Sequence, residues 1–208
     1  MKKRFLITTA IEDSWPDKEE AVIFLGEWCR LYSRKKIWEK MDAEVLSYHW
    51  DDRDKLHKDY KIICSLFENI LNELTIELNK VHSVNHSSRY WRILIGPWLI
   101  NFIPIIFDRW SCLNKALLTS SIKAVIISDR SSFDSIPKDM TNFATLQEGD
   151  LWNSEIYSMI IKLINFDGEV YRKKFRNDYN YSTKKIEKLV LLKDLLGNIL
   201  TFFSSNNS

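Results

Sequence analysis

The chain has 208 residues, enough for one full domain with a substantial core or for one domain with a helical annex. Its hydrophobic fraction of 45% and charged fraction of 28% are those of an ordinary globular protein and exclude a largely disordered chain. Lysine and arginine number 30 against 28 aspartates and glutamates, so a net charge of +2 gives no argument for nucleic acid as a partner.

The cysteines and the N-terminus indicate a reducing compartment. Cys29, Cys64 and Cys112 are too widely spaced for a C-x-x-C metal or redox motif, and their odd number argues against a disulfide framework. Only about four apolar residues follow the basic start, so no secretory signal is expected. The longest uncharged stretch, 93–107, contains two prolines and falls short of the roughly 18 to 20 residues that span a bilayer. We predict a cytoplasmic protein without a transmembrane segment, and leave open a peripheral association with the inner membrane.

Three apolar runs near the N-terminus have the length and the composition of strands. They cover residues 4–7, 21–25 and 44–48 and are rich in β-branched and aromatic side chains. A segment with helix-forming residues, 33–40, is short enough to connect the second and third strands as a crossover.

Two long helices are predicted after the third strand. Apolar residues recur every three or four positions from Leu56 to Val81, which indicates a helix of about 28 residues, and the aspartates of 51–54 offer a cap for it. The second helix begins at Ser87 or Ser88. Its apolar residues lie all round, which predicts burial on several sides, and Pro104 is expected to kink the helix or break it in two.

The C-terminal half completes an α/β pattern. Residues 122–128 predict a fourth strand, continuously apolar at its centre as strands of parallel sheets are. A helix over 151–163, an irregular linker or surface arm over 166–182 and a last helix over 184–203 are expected to follow.

Strands that alternate with helices predict an α/β fold with a Rossmann-like, mostly parallel sheet and long helices. We expect this domain to cover residues 1–165, with the linker and the last helix over 166–208.

Charged and aromatic residues follow the second and third strands, where open parallel sheets bind ligands. Glu27 and Trp28 leave the second strand, and a histidine with carboxylates behind it leaves the third. A histidine beside a carboxylate is a common general base near neutral pH. The same aspartates could instead cap the next helix, and the tryptophans could be core residues. The residues that leave the third strand are His49, Trp50, Asp51, Asp52 and Arg53.

A second cluster surrounds the start of the second long helix. His86, Arg89 and Arg92 lie where free backbone N–H groups and guanidinium forks together favour an anion such as a phosphate or a carboxylate. Alternatively, one arginine could pair with a carboxylate at a strand exit, such as Asp51 or Glu27, and the two interpretations are compatible.

Other motifs are structural or absent. Asp108 and Arg109 follow an apolar run and predict a buried ion pair with a scaffolding role. The sequence has no Walker A motif, no G-x-G-x-x-G, no G-x-S-x-G and no H-E-x-x-H, so it indicates no cofactor and no metal site.

Five stretches resemble the N-terminal part of a glycosyltransferase-like transferase family from bacterial surface-polysaccharide gene clusters. They are FLITTA at 5–10, FLGEWCRLY at 24–32, YHWDDR at 48–53, RYWRILIGPW at 89–98 and FDRW at 107–110. The resemblance implies an enzyme with two Rossmann domains, the N-terminal one for the acceptor and the C-terminal one for the nucleotide-sugar donor. Members of the family continue well past residue 208, so this chain is expected to lack the donor domain.

The first hypothesis is therefore the acceptor-side domain of a sugar transferase in surface polysaccharide biosynthesis. Its partners would be a nucleotide-sugar donor, a glycan or lipid-linked acceptor and a further domain or subunit, without nucleic acid. The catalytic candidates are His49 or Glu27 as the base, with Asp51 to orient the acceptor. The substrate-binding candidates are Asp52, Arg53, Trp28, Trp50, His86, Arg89 and Arg92. The rival hypothesis is a non-catalytic module that pairs with a partner subunit through the helix at 184–203.

Overall fold

The computed structural model describes residues 3–129, 136–164 and 166–175, together with Gly197 and Thr201. The chain divides into two compact units. The sheet unit consists of Met1–Tyr48 and Trp110–Leu189, and the hairpin unit of His49–Arg109 and Val190–Ser208.

The sheet unit contains five parallel strands in the order β3-β2-β1-β4-β5. Leu6 of β1 lies between Ile23 of β2 and Val125 of β4 in register. This order, in an all-parallel sheet accompanied by long helices, confirms the predicted Rossmann-like α/β fold. The strands are β1 (Arg4–Ile7), β2 (Val22–Phe24), β3 (Ala43–Val45), β4 (Ile122–Ser128) and β5 (Glu169–Lys173).

The described residues also form five α-helices and four short 3-10 turns. The turns are Glu12–Ser14, Glu27–Cys29, Tyr32–Arg34 and His49–Asp51. The helices are α1 (Lys35–Trp38), α2 (Arg53–His82), α3 (Ser88–Thr119), α4 (Met140–Leu146) and α5 (Asp150–Leu163).

The three central strands supply the core of the sheet unit. Leu6, Ile7 and Phe24 are at most 1% exposed, whereas the residues of the edge strands β3 and β5 are exposed or half-buried. Strands covered on both faces in a parallel sheet need apolar side chains on both sides, which explains why the runs in β1, β2 and β4 are continuous rather than alternating. The predicted bounds of these three strands agree with the structure to within one residue.

The hairpin unit is built on α2 and the first part of α3. Arg92 of α3 forms an ion pair with Glu68 of α2 and lies over the ring of Phe67, with its guanidinium carbon 5.4 Å from the ring centre. At the turn, Asn79 bonds both the backbone of His86 and the indole N–H of Trp91, at 2.9 to 3.0 Å. The predicted helix of about 28 residues is confirmed as α2, which has 30 residues and Asp52 as its cap.

Helix α3 differs from its prediction in two ways. It is not broken in two, since it continues through Pro104. A proline inside a helix removes one backbone hydrogen bond, and the buried side chains of Leu99, Ile103 and Ile106 lie on both sides of that point. It is also not buried all round, since Ile93 is 68% exposed.

By length and composition, α3 is the one helix among the described residues that could cross a membrane, although only 39% of its most apolar window is buried. The prediction that the chain has no transmembrane segment stays a prediction. A helix that packs in the core of a soluble protein passes the same test.

The segment expected to be an irregular arm, 166–182, contains β5. Glu169–Lys173 pairs in parallel with β4 along its whole length. Its five residues are all exposed, so the sequence there has no apolar run to mark a strand. The last predicted helix, 184–203, falls outside the described residues apart from Gly197 and Thr201, and with it the partner-binding role of the rival hypothesis.

Candidate functional site

In the sheet unit, the carboxyl end of β1 is held by two tryptophans. The indole N–H of Trp28 donates to the carbonyl oxygen of Thr8 at 3.0 Å, and that of Trp15 donates to the carbonyl oxygen of Thr9 at 3.1 Å. The ring of Trp28 also meets Tyr48 edge to face, with 6.3 Å between the ring centres. Trp28 is half-buried, so part of its side chain stays accessible while its indole N–H holds the loop after β1.

Gly26 makes that position of Trp28 possible. A Cβ atom at Gly26 would lie 2.1 Å from the six-membered ring of Trp28, far inside any van der Waals contact. The glycine after β2 therefore lets the indole cross the strand exit and reach the carbonyl group of Thr8.

The strand order reverses at β1, which has β2 on one side and β4 on the other. In doubly wound sheets, ligands bind in the crevice beyond the carboxyl ends at this point. Here the backbone N–H of Ala10 donates to Asp150 Oδ1 at 3.3 Å, at the first residue of α5. Burial raises the pKa of the Asp150 carboxyl above its ordinary value, and the hydrogen bond from Ala10 acts against this rise.

Glu27, predicted as a base, lies on the surface in the turn after β2. Its side chain is 74% exposed, and both carboxylate oxygens lie 2.6 Å from Nη2 of Arg30. An acceptor hydroxyl group that used Glu27 as its base would have to share these oxygens with the guanidinium group.

In the hairpin unit, His49 forms a buried pair with Asp108. His49 Nε2 lies 3.0 Å from Asp108 Oδ1, and the second oxygen of Asp108 bonds Arg109. The His49 side chain is 1% exposed and that of Asp108 7%. The predicted ion pair of Asp108 and Arg109 is confirmed, and His49 is its third member.

This pair has the arrangement of an oriented catalytic histidine. The carboxylate fixes one ring nitrogen, so a proton exchanged with a substrate would travel through Nδ1. Histidine and aspartate are also metal-ligand types, but a metal ion would have to replace the bond between Nε2 and Oδ1. The burial of the ring means that a substrate reaches His49 only after its surroundings open.

The residues next to His49 have mostly structural partners. The indole N–H of Trp50 donates to Asp59 Oδ2 at 2.9 Å, and its ring stacks on Phe107 at 6.2 Å between ring centres. Asp52 accepts hydrogen bonds from the backbone N–H groups of Asp54 and Lys55, both at 3.0 Å, and caps α2. The bond from Lys55 is the main reason why the pKa of Asp52 is lowered. Asp51 and Arg53 are exposed.

The cluster at the start of α3 is also partly engaged. The ring of His86 stacks on that of Tyr90, with 3.9 Å between the ring centres. Arg92 donates hydrogen bonds to both carboxylate oxygens of Glu68. An arginine here does pair with a carboxylate, as the alternative held, but the partner is on α2 rather than at a strand exit. Arg89 is exposed, and none of the ion pairs within the described residues includes it.

Helix α3 separates this cluster from His49. Arg89 precedes Asp108 by 19 residues on the same helix, which is about 28 Å along the helix axis. His49 and Arg89 therefore lie too far apart to share one binding crevice, although both are candidate site residues. The sequence does not show this separation, because each residue follows a loop and loops at opposite ends of a long helix look alike.

A model of one protein family, described as LIC12162 family transferase, matches residues 4–207. The chain belongs to the LIC12162 family of transferases. No curated protein matches it significantly, and no solved structure does. The resemblance of the five stretches to a transferase family is thus confirmed, and the family name indicates a transferase.

Three carboxylates of this LIC12162 family transferase contact predicted site residues or the β1 exit, yet they were not candidate site residues. Asp108 holds His49, Asp59 holds Trp50, and Asp150 receives the backbone of Ala10. Asp59 could have been found, because it lies nine residues from Trp50 on the helix that follows. Asp108 and Asp150 are 59 and 140 residues from their partners, so no local pattern marks them.

Proposed function

We propose that this LIC12162 family transferase provides the acceptor side of a sugar transfer from a nucleotide-sugar donor during bacterial surface polysaccharide biosynthesis. The observation that carries the proposal is the reversal of strand order at β1, in a Rossmann-like sheet that belongs to a transferase family. The acceptor would be a glycan or a lipid-linked glycan, and a further domain or subunit would complete the donor side.

The chemistry requires one base and one anion-stabilising group. The acceptor oxygen forms a bond with the anomeric carbon of the sugar, and the bond from that carbon to the diphosphate breaks. The nucleoside diphosphate leaves with the electron pair, and the proton of the acceptor hydroxyl passes to the base. Asp51 would orient the acceptor.

Two groups compete for the role of the base, one in each unit. Glu27 is accessible at the sheet edge but engaged by Arg30, whereas His49 is oriented by Asp108 but buried. Of the two predicted anion-binding arginines, Arg92 already holds Glu68, and Arg89 lies about 28 Å from Asp108 along α3. The group that stabilises a diphosphate leaving beside His49 would therefore come from the donor side. Trp28 would stack against the acceptor sugar, with its indole N–H committed to Thr8.

A donor panel tests the reaction class. The purified chain, with its genomic neighbours as candidate donor subunits, is incubated with labelled nucleotide sugars, acyl-coenzyme A, S-adenosylmethionine and ATP in the presence of polyprenyl-linked glycans. We expect label to move to the glycan from a nucleotide sugar and from none of the other donors. Transfer of an acyl, methyl or phosphoryl group without sugar transfer would contradict the proposal.

Single substitutions then separate the two bases. Glu27→Gln and His49→Gln are compared with Glu39→Gln and His57→Gln, which replace exposed residues of the same types in the same units. Loss of a general base lowers kcat by about 100- to 10,000-fold. We expect one of the first two variants to show such a loss and both controls to keep the wild-type rate. Wild-type rates in all four would remove Glu27 and His49 as bases.

A further inference from the structure

Helix α3 presents one apolar stripe to solvent along its first three turns. The members of the stripe recur every three or four residues and therefore lie on one side of the helix. Ile93 is 68% exposed, Ile100 60% and Leu94 56%. The full stripe consists of Tyr90, Ile93, Leu94, Pro97 and Ile100.

The opposite side of the same turns is packed. Trp91, Leu99 and Ile103 are at most 6% exposed. The stripe is therefore not the core-facing side of α3. With one side packed against protein, this part of α3 is suited to lie on an apolar surface rather than to cross a membrane.

The stretch of sequence that contains the stripe carries cations and no carboxylate. No aspartate or glutamate occurs from residue 78 to residue 107, although these types make up 28 of the 208 residues. Lys80, Arg89 and Arg92 lie within this stretch, together with His82 and His86. Lys80 forms an ion pair with Glu77, the residue before the stretch, and Arg92 forms one with Glu68 of α2, while Arg89 at the start of the stripe is exposed.

An apolar stripe with cations at one end complements an anionic lipid surface. An interfacial helix buries its apolar face among the headgroups and upper acyl chains, while arginine and lysine beside it attract anionic headgroups. Tyr90, at the cationic end, is of the type enriched at the boundary between lipid and water. We propose that the stripe docks this chain onto an anionic phospholipid bilayer, with α3 lying in the plane of the interface. This inference does not depend on the proposed sugar transfer.

Vesicle sedimentation of the full chain tests the docking. We expect binding to vesicles that contain phosphatidylglycerol, weaker binding to pure phosphatidylcholine, and a decrease as salt is added. The double variant Ile93→Asp, Ile100→Asp should reduce the bound fraction about tenfold, because it puts two carboxylates into the face that the bilayer would cover. Leu118→Asp is the control, since Leu118 is 77% exposed on α3 but outside the acid-free stretch, and should bind as the wild type does.

A labelled variant keeps the test independent of the stability of the aspartate variants. In a Cys64→Ser background, an environment-sensitive dye on Ile93→Cys should brighten when anionic vesicles are added, and the same dye on Leu118→Cys should not. The proposal is overturned if the wild-type chain does not bind anionic vesicles at low salt, or if the dye on Ile93→Cys is unchanged. It is also overturned if light scattering shows a wild-type dimer that Ile93→Asp dissociates, because the stripe would then be an interface between two copies of the chain.

Discussion

The sheet unit and the hairpin unit use their candidate site residues in opposite ways. At the sheet edge, the indoles of Trp15 and Trp28 bond backbone carbonyl groups, and the charged pair of Glu27 and Arg30 remains on the surface. In the hairpin unit, His49 bonds the carboxylate of Asp108 and both are buried. The first arrangement shapes an accessible edge, and the second fixes titratable groups away from water. Residues that occupy equivalent places at strand exits can therefore have different physical roles.

The largest expected effect comes from breaking the buried pair. Asp108→Ala leaves the ring nitrogen of His49 and the guanidinium group of Arg109 without their carboxylate partner. Loss of one member of a buried charged pair costs about 3 to 5 kcal/mol. We expect a decrease of this size in the free energy of unfolding in urea.

The matched change in the sheet unit is Glu27→Ala, which removes an exposed ion pair. It should lower the free energy of unfolding by less than about 1 kcal/mol. Equal losses of unfolding free energy for Asp108→Ala and Glu27→Ala would contradict the conclusion that the Asp108 pair contributes more because it is buried.

Two glycines provide the next contrast. Gly26→Ala forces the added methyl group into the ring of Trp28 and should cost about 1 to 3 kcal/mol of stability, with a change in tryptophan fluorescence. In Gly96→Ala, the new methyl group meets Arg92 Cγ at an ordinary 3.5 Å inside α3. The better helix propensity of alanine should then raise stability by about 0.5 to 1 kcal/mol. Thermal melts of both variants measure the opposite signs, and destabilisation by Gly96→Ala would mean that α2 and α3 pack more closely than described.

A smaller effect concerns the cap of α2 and its pH dependence. The pKa of Asp52 is lowered in the folded chain, so its contribution to stability is present above the pKa of the unfolded chain and is lost as pH falls through the folded value. Asp52→Asn keeps a capping oxygen but cannot titrate.

Thermal melts across an acid series test the assignment. The Tm difference between wild type and Asp52→Asn should be constant at neutral pH and shrink below about pH 4. Asp52→Ala should melt below both at neutral pH. A Tm difference that does not change with pH would contradict the assignment of Asp52 as the cap.

The smallest effect is chemical rather than energetic. Burial raises the pKa of the Cys29 thiol to about 12, and Cys112 is also buried, whereas Cys64 is exposed. A thiol reagent at pH 8 should therefore modify Cys64 rapidly in the native chain and the other two after unfolding. Rapid labelling of Cys29 in the native chain would contradict the burial of its thiol group after β2.

Local signals in the sequence predicted the parts of the molecule that are locally determined. Continuous apolar runs marked β1, β2 and β4, and an aspartate before an amphipathic segment marked the start of α2. Strand β5 could not be predicted in this way, because all its residues are exposed and pairing with β4 selects it. The partners of His49 and Ala10 are contributed by segments far along the chain, so the composition of the candidate site became visible only with the fold.

We propose that the edge of the sheet at the exit of β1, rather than the hairpin turn, receives the acceptor. The most direct test is a nitrogen-15 NMR titration of the indole N–H signals with a soluble analogue of a lipid-linked glycan. We expect the signals of Trp28 and Trp15, which hold the β1 exit, to shift first, and that of Trp91 at the hairpin turn not to shift. Saturable shifts of Trp91 with unchanged Trp28 and Trp15 signals would contradict it.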